Sequence, residues 1–266
     1  MTGMTDHTDL ILDGTKIAWH QERIKAWERG ERIAPITIDM ALTRACNYAC
    51  HYCYAMLQEN DRKIINRKVI FDFIGYLLDH GVDPNIRVKE VPPLRRWMYL
   101  LGGSLAWVDF TGQTPFILAS LSGDVSTMQL LLKHGADPKI TTFHGTNALM
   151  AAAGVNWVYN QTFTEGEPVL LEAVKLCFDL GMDVNATNSM GLTAAMGAAN
   201  RGSDSIIEFL VSKGARLDMK DNVGRTAYNW AEGVFLATHA AVPTPSTMAL
   251  IQKLTGGKTQ QAANKQ

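Results

Sequence analysis

Charge of either sign is sparse in this sequence. Charged residues make up 19% of the 266, and 25 Lys and Arg set against 26 Asp and Glu leave a formal net charge of -1. No global field therefore draws the chain to nucleic acid or to an anionic membrane, and neither is expected as a partner. The first residues carry no basic start and no apolar run before Leu10, which argues against a secretory signal. Nowhere is there the run of about 20 apolar residues that a membrane span requires. Cysteine is scarce as well: there are four, three of them within eight residues. Such a set is no disulfide framework and points to metal or redox chemistry in a reducing compartment, so a cytoplasmic location is expected. Apolar residues are not lacking. At 47% they suffice for a packed interior and exclude a disordered chain.

The clearest internal signal is repetition. Gly112, Gly145, Gly191 and Gly224 open the related stretches Gly-Gln-Thr-Pro, Gly-Thr-Asn-Ala, Gly-Leu-Thr-Ala and Gly-Arg-Thr-Ala, and seven residues after each stands Ala119, Ala152, Ala198 or Ala231. A second marker closes four segments at Gly81, Gly135, Gly181 and Gly214, with His80 and His134 before the first two. The spacing is 33 residues from Gly112 to Gly145 and again from Gly191 to Gly224, and from each of the last three closing glycines to the next opening one it is 10. Two short helices per unit cannot bury their apolar faces alone, so stacking must do it, with the alanines small where helices approach. Thr114-Pro115 reads as a helix cap and first turn. The closing glycines read as positive-φ residues ending the second helix. Cys177 shares its position with Leu77, Leu131 and Leu210 and is expected to be a buried packing residue. His80 and His134 suit a helix C-terminus, and Met128, Met150, Met190 and Met196 are expected in the core.

This pattern resembles the ankyrin repeat over roughly residues 76–254. The resemblance implies a mainly α solenoid that serves as a monomeric scaffold for binding another protein. Two stretches exceed the period, at about residues 85–110 and 155–168. Long insertions in repeat arrays tend to carry recognition, which makes Arg95, Arg96, Trp97, Trp107, Trp157 and Tyr159 the candidate partner-binding residues. An Arg-Arg-Trp loop before a Gly-x-Thr-Pro repeat is also similar to a group of bacterial ankyrin proteins. Pro245 begins a last, capping helix expected over residues 245–254, and residues 255–266 form a polar tail expected to be disordered.

Residues 1–74 are of another kind. Ile17, His20, Ile24 and Trp27 fit one face of a short helix, and residues 35–43 alternate as a strand does. The strand runs into Cys46-Asn47-Tyr48-Ala49-Cys50-His51-Tyr52-Cys53, a C-x3-C-x2-C spacing followed by a helix. Three thiolates on one tight loop can each reach a different iron of a [4Fe-4S] cube. A Cys3His zinc site using His51 and a set of unligated thiols are the alternatives. The stretch resembles the radical S-adenosylmethionine (SAM) superfamily, as its first strand, cluster loop and helix. The resemblance implies that Cys46, Cys50 and Cys53 ligate the cluster and that Tyr52 meets the adenine of SAM. The barrel of that family has about six βα units, each of roughly 30 residues or more, and here one unit precedes the repeats. Its Gly-Gly-Glu-Pro-like strand end is missing from its place; Glu165-Gly166-Glu167-Pro168 imitates it inside the second insertion. An α-β-α appendage is therefore expected to join the array near residues 73–76. Activity of that fragment alone, and SAM binding, are not expected. Three functions follow from the sequence: an interaction scaffold with an accessory segment, an iron-sulfur or redox-responsive binding protein, and a radical SAM-type enzyme.

Overall fold

Each opening glycine is followed, two residues later, by a side chain that starts a helix. In a computed structural model of the chain, which describes residues 25–26, 29–30, 67–89, 111–158, 162, 164–234 and 241–256, Thr114 accepts from Ile117 N at 3.3 Å, Asn147 from Met150 N at 2.9 Å and Thr193 from Met196 N at 3.3 Å. At the fourth, Asn229 Oδ1 accepts from Thr226 N at 3.0 Å. Each bond meets a backbone donor that a helix start leaves free. The helices so begun are α2 (Pro115–Ser122), α4 (Ala148–Ala153), α6 (Ala194–Arg201) and α8 (Ala227–Ala231). After each comes a second helix: α3 (Val125–Lys133), α5 (Glu167–Asp179), α7 (Asp204–Ser212) and α9 (Pro245–Leu254). Before them stands α1 (Arg67–Asp79). No strand occurs among the described residues.

The helices form two rows. In the inner row α2 packs on α4, α4 on α6 and α6 on α8; in the outer row α3 packs on α5, α5 on α7 and α7 on α9. Between neighbouring inner helices lie the short side chains anticipated from the period. Ala152, Ala198 and Ala231 are fully buried and Ala119 nearly so. The tightest approach is between the end of α4 and α6. A Cβ on Gly154 would lie 2.6 Å from Gly197 O, and one on Gly197 would lie 2.5 Å from Val155 N. Neither position has room for a side chain. Met128, Met150 and Met196 are buried as expected, with Met190 half-buried against the same core. The closing glycines stand at φ +85, +85, +84 and +91 for Gly81, Gly135, Gly181 and Gly214. The final helix spans the expected residues, with Thr244 N-terminal to it donating from Oγ1 to Ala231 O at 3.1 Å.

By contacts the chain divides into Met1–Arg67 and Lys68–Gln266. In the first unit residues 25–26 are helical and Arg29 N donates to Lys25 O at 3.1 Å. The strand and cysteine loop expected of an α-β-α appendage lie outside the described residues. In the second unit, α1 runs unbroken through residues 73–76, where the join of two pieces was expected. It ends on the closing turn of His80-Gly81, so it occupies the place of an outer helix.

The second insertion is divided between helix and loop. α5 has 13 residues where α3 and α7 have 9, so one extra turn is helical and the rest lies in residues 154–166. Gly166 caps α5, with proline in the first turn. The Glu-Gly-Glu-Pro stretch therefore serves as a helix start. Asn156, buried, takes φ +73 in this loop, a conformation asparagine tolerates better than most residues.

Candidate interaction surface

The loops between units form one edge of the array, and their side chains brace it in register. Thr142, Asn188 and Asp221 stand three residues before an opening glycine. Each accepts at its side chain from the backbone N four residues on, at 3.0 Å from Thr146, 3.0 Å from Leu192 and 2.8 Å from Arg225. Asp221, buried, also accepts from Arg225 Nε at 2.7 Å and Trp230 Nε1 at 3.1 Å, so its carboxylate is satisfied by an ion pair and three further donors, counting Val223 N at 3.0 Å. Adjacent loops are tied tip to tip. Phe143 N donates to Thr111 O at 3.0 Å, Ser189 N to His144 O at 2.7 Å and Asn222 N to Met190 O at 3.0 Å.

Two asparagines bind successive loops at their base. Asn85 donates to Gly135 O at 3.1 Å and accepts from Asp137 N at 2.7 Å. Asn185 does the same to Gly214 O at 2.9 Å and from Arg216 N at 2.8 Å. Arg87 adds a third brace. Its Nε donates to Gly112 O at 3.2 Å and Nη2 to Thr141 O at 2.5 Å, while the guanidinium lies 4.3 Å from the Phe143 ring centroid. On this fixed edge Phe143 is 56% exposed and Val223 77% exposed. Large apolar side chains held outward by satisfied polar groups are suited to a protein contact.

A second apolar feature lies at the start of the array. A groove of about 390 Å³ runs between α1, α2 and α3, lined by Ile74, Leu77, Leu78, Ile86, Leu118 and Leu131 among others. Leu118 is 55% exposed, whereas Ala151, Gly197 and Trp230, at the same place in later units, are buried.

Of the candidate partner residues, Trp157 is described and the others are not. It is half-buried beside the end of α4, with the Arg201 guanidinium 5.7 Å from its ring centroid. Arg95, Arg96, Trp97, Trp107 and Tyr159 lie outside the described residues, as do Cys46, Cys50, Cys53 and Tyr52. Among the described residues no group of His, Cys, Asp and Glu could hold a metal ion, and no described helix is long and apolar enough to cross a membrane. Cys177 is buried and free, and burial pushes its thiol up to about 12, against a smaller opposing effect of Ser120. It is a packing residue, as its register with leucines implied. His134 caps α3 and His80 Nδ1 lies 2.7 Å from Tyr76 O, both in helix-terminal roles.

Reading by motif overlooked Asn85, Arg87, Asn185 and Arg201. For Arg201 a signal was present: the unit register puts Ser122, Val155 and Val234 at its position, so a cation there is out of pattern. Asn85 and Asn185 share one position, four residues after a closing glycine, but spacing does not reveal that their partners, like Thr141 for Arg87, lie one unit away.

Residues 111–143 match the model of the ankyrin repeat family. This segment is an ankyrin repeat. The chain is similar to Ankyrin repeat domain-containing protein 63 of Mus musculus, 28% identical over 168 residues, which covers 62% of this chain and 40% of that protein. It is likewise similar to Ankyrin repeat domain-containing protein 63 of Homo sapiens, 27% identical over 168 residues with the same coverage of each. The match thus spans about 40% of the length of these curated relatives.

Proposed function

We propose that the ankyrin array binds another protein along its loop edge. The observation that carries this reading is the exposure of Phe143 on a loop braced by Arg87, Thr142 and the neighbouring tip. A side chain so held loses little conformational freedom when a partner covers it, which favours binding. Arg95, Arg96, Trp97, Trp107, Trp157 and Tyr159, in the two insertions, are candidates for a separate partner contact. The test is affinity capture with the full chain set beside a Phe143→Ser, Val223→Ser variant. The expected result is loss of the captured protein with helical circular dichroism unchanged; equal capture by both chains would move the contact elsewhere.

The cysteine spacing supports a second reading, in which Cys46, Cys50 and Cys53 hold a [4Fe-4S] cluster and the array presents it. When bound, such a cluster supplies one-electron chemistry. Anaerobic reconstitution should then give a brown protein with about four iron and four sulfide per chain, lost in the triple alanine variant. A colourless, iron-free product would remove this reading, and formation of 5'-deoxyadenosine from added SAM would extend it to a radical SAM-type enzyme.

A further inference from the structure

Arg201 ends α6, and its side chain points back under the inner row. Nη1 donates to Ala152 O of α4 at 3.0 Å, and Nη2 donates to Leu121 O of α2 at a longer 3.4 Å. Nε is buried and finds no acceptor among the described residues. No carboxylate lies within ion-pair distance of it there; the salt bridges of the array are elsewhere. The charge is met by carbonyls at helix C-termini, the negative end of the helix dipole. Burial lowers the guanidinium to about 10, which leaves it protonated at neutral pH. A half-buried cation with a buried, unmet donor is a poor source of stability, so its place calls for another explanation.

That explanation is its reach. In a stacked repeat array each unit touches its immediate neighbours, and cooperativity passes from one to the next. Arg201 belongs to the unit opened by Gly191, Ala152 to the one opened by Gly145, and Leu121 to the one opened by Gly112. It therefore skips a unit. The insertion is fastened to the same helix end, because Glu165 N donates to Ser122 O at 2.8 Å and α5 packs on α2 as well as α4. Gly154, whose added Cβ would lie 3.2 Å from Arg201 Nε, leaves the space through which the side chain passes.

We propose that Arg201 is a coupling residue that makes the three units opened by Gly112, Gly145 and Gly191 unfold as one cooperative block. The test is urea unfolding together with amide hydrogen exchange on the full chain, comparing wild type with Arg201→Met and Arg201→Lys. Methionine keeps an unbranched stem and removes every donor. Lysine keeps the charge but cannot span two carbonyls with a fork. In wild type, core amides of α2, α4 and α6 should exchange with one shared protection factor. In Arg201→Met the urea m-value should fall, and α2 amides should exchange about tenfold faster than those of α6. Arg201→Lys should keep α4 and α6 together and release α2. The role is overturned if Arg201→Met lowers the midpoint at an unchanged m-value while all three helices lose protection equally, as mere packing would predict. Should Arg201→Met fail to fold, distinct protection of α2 and α6 in wild type would overturn it alone.

Discussion

Gly135 shows how much one residue can settle. It holds φ +85 in open space, so the objection to a side chain there is backbone conformation and not crowding. Gly135→Ala should lower stability by about 1 kcal/mol, measured as a shift of the urea midpoint. Asp221 is a stronger case. Asp221→Ala would leave the buried Trp230 indole and the half-buried Arg225 without their acceptor, at a cost of about 3 kcal/mol. Cys177 gives a test in pH. Its folded thiol titrates near 12 against an ordinary 9.0, so the unfolded chain releases the proton first. The stability tied to this thiol is full below pH 9.0 and is lost as pH rises towards about 12. Cys177→Ala should flatten that alkaline decline, and in the native chain the thiol should resist alkylation at neutral pH.

At the scale of elements, caps and prolines are legible in the sequence. Thr114-Pro115 starts α2 and Pro245 starts α9 because proline fixes φ and needs no donor in the first turn. Thr114→Ala should cost about 1 kcal/mol, with exchange of the Ile117 amide as the local readout. The extra turn of α5 was not legible. An insertion read from spacing gives its length but not its division between helix and loop, although Gly166 and Pro168 mark the start of α5. The continuity of α1 was hidden for a related reason. Phe73, Ile74, Leu77 and Leu78 keep helical spacing through the expected join, so periodicity marks no boundary there.

For the molecule as a whole, phase was the informative quantity. Two glycine markers held in register over several units disclosed the array, the buried alanines and the role of Cys177. What they could not disclose are contacts between units, which depend on three-dimensional stacking: Asn85 to Gly135, Arg87 to Thr141, Arg201 to Leu121. Phe143 on its braced loop came from structure, while Trp157, the one candidate among the described residues, is half-buried at the end of α4 beside Arg201. These interactions lie in residues 68–256, so the Cys46, Cys50, Cys53 triple alanine variant should keep the thermal unfolding midpoint of the array. A marked drop would tie the cysteine loop to folding.

The asparagine braces have a mechanical consequence. Asn85 and Asn185 each clamp one loop to the next, but at the corresponding place in the loop between them stands Lys139, which has no amide to do so. Under tension on the two ends of the array, the loop edge should part first between the loops of Lys139 and Asp183. The opposite edge, where Arg201 and the insertion tie helix ends together, would act as the pivot.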